Sequence, residues 1–234
     1  KKLSLELGAS SPVVVTSSAD ISQAAHAVSL GGYINAGQVC ISVQRVIVER
    51  SIENDFIDAL TPLVKDISVG DPSQDETAVG TLISADEAAR VRRAIDTVVS
   101  DGATLVTGGE VSGAIVQPAI VRGVPAEHAF AQDELFGPAV SITSAADLDE
   151  ALELANSTRY GLGAGVFSHN LDTSIRAVRE IDSGIVHINW TPLWRADLMP
   201  YGGLKDSGIG KEGVRTAVSE MTDWKTVIMH SDTR

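Results

Sequence analysis

The chain has 234 residues, of which 44% are hydrophobic and 21% charged, so it can form one large or two modest folded domains. This composition argues against a disordered, collagen-like or coiled-coil protein. Lys and Arg total 18 against 31 Asp and Glu, which gives a formal net charge of −13. Because an acidic chain repels phosphate groups, we expect neither a nucleic-acid nor a membrane partner.

The chain has a single cysteine, Cys40, so an internal disulfide is excluded. No run reaches the roughly 18 apolar residues of a membrane span. The opening segment Lys1–Gly8 has no apolar signal-peptide core, and we expect a cytoplasmic protein. The chain starts without Met on a strand-like run, which indicates a piece of a longer protein.

Short β-branched runs alternate with amphipathic stretches, a pattern typical of a layered α/β domain with a mostly parallel sheet. The predicted strands are Val13–Thr16, Arg45–Val48, Thr104–Thr107, Ile115–Val121, Val140–Thr143, Ala164–Phe167 and Ile185–Asn189. The predicted helices are Ile21–Gly32, Ile52–Ile67, Ala85–Ser100, Leu148–Asn156 and Leu171–Ile181. Asp20 and Ser51 are predicted N-caps, and Ser84–Glu87 fits a capping box.

The chain changes character after Asn189, where proline and glycine become frequent through Gly213. A helix at Lys211–Met221 and a strand at Trp224–His230 are predicted to follow. This last strand is detached from the main alternation, so it needs a partner sheet from another domain or another subunit.

Three segments carry residues suited to chemistry. Cys40 follows amide and glycine residues that could polarise a thiolate nucleophile, although a lone cysteine can equally be a small buried apolar residue. Glu6 ends a strand-like run, where it is either a general base or a solvated carboxylate. Glu134 and Phe136 precede a Gly-Pro turn, which suits binding of a nucleotide or is simply a charged turn.

The glycine-rich segments do not have the features of phosphate loops. Pro200–Gly213 contains five glycines, but no strand leads into it and no Gly-Lys-Ser/Thr follows. The series Gly161, Gly163 and Gly165 enters a strand instead of opening a helix, so both segments predict close backbone packing. The five histidines are scattered without ligand spacing, and we expect no metal site.

Taken together and in this order, these motifs make the chain resemble the NAD(P)-dependent aldehyde dehydrogenase superfamily over essentially its whole length. The matching segments are Leu5–Gly8, Asn35–Cys40, Glu134–Pro138, Tyr160–Leu162, Asn189 and Pro200–Gly208. The resemblance implies a Rossmann-like catalytic domain at residues 10–203. It also implies a remnant of the cofactor-binding domain at 1–9, and a C-terminal helix and oligomerisation arm at 204–234.

The resemblance implies oxidation of a small-molecule aldehyde to a carboxylic acid with NAD or NADP. Cys40 would be the nucleophile that forms a thiohemiacetal and then a thioester, and Glu6 the general base. Glu134 would bind the nicotinamide ribose, with Phe136 flanking the ring. Relatives also imply a dimer or tetramer of identical subunits, and a longer protein whose missing half holds most of the cofactor site.

Further positions follow from the same resemblance. Val39, Ile41 and Tyr201 would border the substrate tunnel, and Arg195 would contact an anionic aldehyde or only pair with Asp197. Asn35 would shape the loop, while the family's oxyanion-hole Asn has no counterpart here.

The chain departs from the family pattern at Ala9, which stands where a second glycine is usual. The presence of Glu6 favours hydrolysis over transfer to coenzyme A. The alternatives are a cofactor-independent thiol esterase that uses Cys40 and Glu6, and a non-catalytic oligomerisation module.

Overall fold

The structure is a computed structural model that describes residues 2–230, which form thirteen β-strands and seven α-helices. The strands are β1 (Leu5–Glu6), β2 (Ser11–Val15), β3 (Val43–Glu49), β4 (Thr104–Thr107), β5 (Val111–Ser112), β6 (Ile115–Val116), β7 (Ala119–Arg122), β8 (Ala139–Ala145), β9 (Tyr160–Gly161), β10 (Gly163–Phe167), β11 (Ile185–Ile188), β12 (Leu204–Lys205) and β13 (Gly208–Ile209). The helices are α1 (Ile21–Gly31), α2 (Glu53–Lys65), α3 (Ala85–Ser100), α4 (Ala129–Gln132), α5 (Leu148–Asn156), α6 (Leu171–Glu180) and α7 (Val214–Met221).

Seven strands form the main sheet in the order β11-β10-β2-β3-β8-β7-β4. Every neighbouring pair is parallel except β4 with β7. Parallel strands need long crossover connections, and helices make most of these connections here. The predicted α/β fold with a mostly parallel sheet is confirmed.

The central strands are buried on both faces. In β2, Val13 and Val15 pack with α1 and α2, whereas Val14 packs with α5 and α6 on the opposite face. This division follows from the alternation of side chains along a strand. A strand covered on both faces reads as a continuous apolar run, as β2 does.

Local signals explain where several helices begin. Asp20 accepts a hydrogen bond from the Gln23 N–H at 2.9 Å and caps α1 as predicted. Ser84 accepts from the Glu87 N–H at 3.2 Å, but the Glu87 carboxylate bonds to Arg90 at 2.7 Å, so only half of the predicted capping box forms. The prediction of Ser51 as an N-cap is wrong, because a 3₁₀ turn takes up Arg50–Ile52 before α2 begins.

Two predicted strands differ from the structure. The run Ile115–Val121 is split into β6 and β7, because Pro118 has no N–H to donate to a strand ladder. The prediction of a strand at Trp224–His230 is wrong for the chain alone: residues 222–230 form no ladder and are exposed. Strand pairing requires a neighbour, and within residues 2–230 none lies beside this segment.

Small two-stranded sheets attach the chain ends to the main domain. β1 pairs antiparallel with β13, so that Glu6 faces Gly208 across the ladder. β12 pairs antiparallel with β9, so that Lys205 faces Tyr160. The glutamate motif and the glycine-rich segment are therefore held together, although about 200 residues separate them in the chain.

Candidate active site

The predicted site residues meet at the amino-terminal edge of the central sheet. Ala9 precedes β2, Cys40 precedes β3, and Glu134 and Phe136 precede β8. Because these strands are parallel neighbours, the segments that enter them lie side by side. Ala9, Cys40, Glu134 and Phe136 line one narrow cavity together with Val39. Open α/β sheets usually bind ligands at the carboxyl ends of their strands, so the site departs from that rule.

The loop before Cys40 is strongly shaped. Asn35, Ala36 and Gly37 have φ angles of 52°, 55° and 72°, all in the left-handed region. The Asn35 side chain donates to the Gln38 carbonyl at 3.1 Å, and the Gln38 amide donates to the Asn35 carbonyl at 3.0 Å. The Ile83 N–H donates to Gln38 Oε1 at 2.9 Å and anchors the loop to the rest of the domain. Asn35 therefore shapes the loop.

Cys40 is partly exposed, and its Sγ lies 3.0 Å from the hydroxyl oxygen of Tyr201. Ile41 and Tyr201 are buried in an apolar cluster with Ala9 and Leu162. Cys40 and Val39 pack against this cluster. The surroundings of the thiol are therefore mainly apolar, with the Tyr201 hydroxyl as a polar contact.

Glu6 lies close to the backbone that follows Tyr201. Its Oε1 is 3.1 Å from the position that a Cβ would take on Gly202, the residue after Tyr201. Partial desolvation of the carboxyl group raises the pKa of Glu6, and the negative charge of Glu212 raises it further. The positive charges of Lys211 and Arg195 oppose this rise. A carboxylate with a raised pKa is a stronger base than an ordinary glutamate.

The Glu134 carboxylate packs against the backbone that follows Glu6. Its Oε1 accepts a hydrogen bond from the Ala9 N–H at 3.0 Å. Its Oε2 lies 2.8 Å from where a Cβ would stand on Gly8, so a larger residue there would push the Glu134 carboxylate aside. The departure at Ala9 is accommodated, because its methyl group is buried in the apolar cluster beside Tyr201.

The side-chain chemistry of Glu134 and Phe136 suits a nicotinamide riboside. Within residues 2–230, Glu134 Oε2 accepts no hydrogen bond from the protein and is free to accept one from a ribose hydroxyl. Phe136 has a φ of 50° and keeps 41% of its surface exposed, which leaves an aromatic ring beside the cavity. These two residues could hold the cofactor's reactive end next to Cys40.

Arg195 lies over the aromatic ring of Tyr201. Its guanidinium carbon is 4.2 Å from the ring centroid, and Nη1 is 3.1 Å from Glu212 Oε1. The alternative prediction, that Arg195 only pairs with Asp197, is therefore wrong. The Glu212 main chain also bonds to Tyr201 in both directions, at 3.0 and 2.7 Å.

Sequence reasoning missed Lys211 and Glu212. Lys211 Nζ donates to the Gly202 carbonyl, and both side chains act on the Glu6 carboxyl group. Lys211 and Glu212 lie at the end of the glycine-rich segment that also carries Tyr201, and this shared segment is the sequence feature that could have pointed to them.

Known proteins define the class of this chain. The sequence profile described as "Aldehyde dehydrogenase family" matches residues 1–227. The chain therefore belongs to the aldehyde dehydrogenase family.

Individual relatives agree with this assignment. The lactaldehyde dehydrogenase of Methanococcus aeolicus is 37% identical over 231 residues, which are 99% of this chain and 50% of that protein. The 3-sulfolactaldehyde dehydrogenase of Priestia megaterium is 39% identical over 230 residues, which are 98% of this chain and 48% of that protein. The chain spans about half the length of the curated relatives it matches.

Solved structures share the fold. Glyceraldehyde-3-phosphate dehydrogenase GapN from Methanocaldococcus jannaschii, complexed with NADP, superimposes with a TM-score of 0.94 at 37% identity. The match covers 98% of this chain and 50% of that one. Betaine aldehyde dehydrogenase from Staphylococcus aureus, in complex with NAD+, gives a TM-score of 0.89 at 32% identity, and the match covers 93% of this chain and 44% of that one.

Two features are absent from residues 2–230. None of the helices in that range has the length and apolar character needed to cross a membrane. In the same range, no group of three or more His, Cys, Asp or Glu side chains is placed to hold a metal ion.

Proposed function

We propose that this chain is the catalytic half of an enzyme that oxidises an aldehyde to a carboxylic acid with NAD or NADP. The observation that carries the proposal is one cavity lined by Cys40, Glu134 and Phe136 and by Ala9 of the Glu6 segment, which come from three separate parts of the chain. Glu6 itself lies beside Gly202, the residue after Tyr201. As domains we propose 10–203 as catalytic, 1–9 as the end of the cofactor domain and 204–234 as the C-terminal arm.

The Cys40 thiolate adds to the aldehyde carbon and forms a C–S bond, which gives a thiohemiacetal. The Cys40 N–H would donate a hydrogen bond to the resulting oxyanion. A nicotinamide bound beside Glu134 and Phe136 would supply the hydride acceptor. Loss of the hydride leaves a thioester on Cys40.

Glu6 then takes a proton from a water molecule, which attacks the thioester carbon. The C–S bond breaks, the carboxylic acid leaves, and the Cys40 thiolate is regenerated. The net reaction consumes aldehyde, water and oxidised cofactor, and yields acid, reduced cofactor and a proton. Glu134 and Phe136 orient the cofactor's ribose and ring.

Formation of NAD(P)H tests this function. In the full-length enzyme of which this chain is the catalytic half, lactaldehyde together with NAD or NADP is expected to give reduced cofactor and lactate in a one-to-one ratio. Consumption of the aldehyde without formation of reduced cofactor would overturn the proposal that the enzyme is a dehydrogenase. Ester hydrolysis without any cofactor reduction would favour the thiol esterase, which the same Cys40 and Glu6 could support.

We further propose a small 2-hydroxyaldehyde as the substrate. Three of the four proteins named above take their names from lactaldehyde, 3-sulfolactaldehyde and glyceraldehyde 3-phosphate. Each of these compounds carries a hydroxyl group next to the aldehyde carbon. Val39, Ile41 and Tyr201 would border the path to Cys40.

Arg195 is the proposed contact for an anionic group on the substrate. Its side chain is 40% exposed and pairs with Glu212. In Arg195→Ala we expect KM for 3-sulfolactaldehyde to rise about tenfold, whereas KM for uncharged lactaldehyde changes little. An equal rise for both aldehydes would show that Arg195 acts only through Tyr201 and Glu212.

We propose that the C-terminal arm pairs with a second copy of the chain, as a dimer or tetramer requires. Trp224 is fully exposed, and Val227, Ile228 and Met229 are 69–91% exposed. Such an apolar segment without a strand partner is an aggregation risk unless another chain covers it. Sedimentation of the chain should give an oligomer, and truncation after Thr222 should give a monomer; an oligomer of unchanged size would contradict the proposal.

A further inference from the structure

The contact between Tyr201 and Cys40 joins residues 161 positions apart in the chain. The Tyr201 hydroxyl oxygen and Cys40 Sγ are 3.0 Å apart, within the range of a hydrogen bond to sulfur. Tyr201 is only 3% exposed. An ordered, water-poor contact of this kind fixes the position of the thiol more firmly than a solvent contact would.

The direction of the hydrogen bond follows from the chemistry of the two groups. Burial, and next the contact with Cys40, raise the pKa of Tyr201 far above its ordinary value, so the phenol keeps its proton. A protonated phenol can donate, and a thiolate can only accept. Hydrogen bonds to a charged acceptor are about twice as strong as those between neutral groups.

Several contacts hold Tyr201 in place. The Tyr201 main chain is paired with that of Glu212, and the Arg195 guanidinium covers one face of the Tyr201 ring. Arg195 is itself fixed by its ion pair with Glu212. Ala9, Ile41 and Leu162 form the apolar cluster around the ring. Because the ring is held in this way, its hydroxyl is already in place before any substrate arrives.

We propose that the Tyr201 hydroxyl donates a hydrogen bond to the Cys40 thiolate and stabilises this form of the nucleophile. Tyr201 is thereby a catalytic residue, and not only a wall of the substrate tunnel. The role of Cys40 as nucleophile rests on the proposed function, whereas the hydrogen bond to its thiolate does not. On this view Glu212 is a positioning residue, because its main chain holds Tyr201 in place.

The pH dependence of Cys40 alkylation by iodoacetamide tests this proposal without aldehyde or cofactor. Cys40 is the only thiol, so the reaction reports on one site. In Tyr201→Phe we expect the midpoint of the pH profile to rise by about one unit, with alkylation near neutral pH about tenfold slower. Phenylalanine keeps the ring and removes only the hydroxyl group.

Tyr33→Phe is the matched control. Tyr33 is 1% exposed, and its hydroxyl donates to the Ala119 carbonyl at 3.0 Å and not to the thiol. This variant should lower the melting temperature and leave the alkylation profile unchanged. A purely structural role for Tyr201 would give the same pattern as Tyr33.

Two results would overturn the proposal. One is an alkylation midpoint that is the same in the unmodified chain and in Tyr201→Phe. The other is a native profile that coincides with that of the chain unfolded in guanidinium chloride. If the alkylation midpoint shifts in Tyr201→Phe but the enzyme oxidises no aldehyde, the proposed dehydrogenase function is wrong. The proposed hydrogen bond between Tyr201 and Cys40 then still stands.

Discussion

Replacement of Cys40 by alanine is expected to lower hydrolysis of a p-nitrophenyl ester by at least about a thousandfold. The reason is that the ester acylates the thiolate, and no other thiol exists in the chain. The assay needs no cofactor, so it depends only on residues that this chain contains. The rate of p-nitrophenol release measures the effect directly.

Two controls accompany this variant. Alkylation of the unmodified chain with iodoacetamide should abolish hydrolysis to the same extent, because it blocks the same atom. Ser42→Ala removes a hydroxyl group two residues away that bonds to the Gly31 and Gly32 carbonyls, and should retain hydrolysis. Equal rates in Cys40→Ala and the unmodified chain would refute the assignment of the nucleophile.

Replacement of Gly37 by alanine is expected to destabilise the chain by about 3 kcal/mol and to stop ester hydrolysis. The φ angle of 72° is costly for any residue with a Cβ, and an added Cβ would stand 2.2 Å from the Gly137 carbonyl oxygen. That oxygen belongs to the backbone and cannot rotate away. The cysteine loop must therefore move off the Phe136–Gly137 segment. Urea denaturation measures the free energy of unfolding.

The variant Gly113→Ala separates the two causes of the expected loss of stability, which are backbone strain and the close contact with Gly137. Gly113 has a φ of 60°, but nothing lies within 4 Å of an added Cβ. We expect this variant to lose about 1 kcal/mol from backbone strain alone and to keep full hydrolysis. If both variants lose the same stability, the contact between Gly37 and Gly137 is not what fixes the loop.

Local patterns in the sequence predict most of the fold. The β-branched runs that became β3 and β10 and the periodic stretch that became α3 were located within two residues of their bounds. These signals succeed because burial on both faces or on one helical stripe leaves a regular pattern. They fail at Ile115–Val121, where a single proline divides an otherwise apolar run.

Contacts between distant segments could not be predicted in the same way. Motif order suggested that Cys40, Glu6 and Glu134 belong to one site, and the structure brings their segments together. The predicted partner of Arg195 was Asp197, because the two residues are close in sequence. In the structure the main chain of Glu212 pairs with Tyr201, and Arg195 forms its ion pair with Glu212. The hydroxyl contact between Tyr201 and Cys40 depends on side-chain placement, which no local pattern encodes.

Trapping of the covalent intermediate tests the central claim most directly. The unmodified chain and Glu6→Gln are mixed with p-nitrophenyl acetate, quenched in acid at a series of times and digested for mass spectrometry. Our account predicts an acetyl group on Cys40 that decays quickly in the unmodified chain and persists at least about a hundredfold longer in Glu6→Gln. An acetyl group on another residue, or equal decay in both proteins, would contradict it.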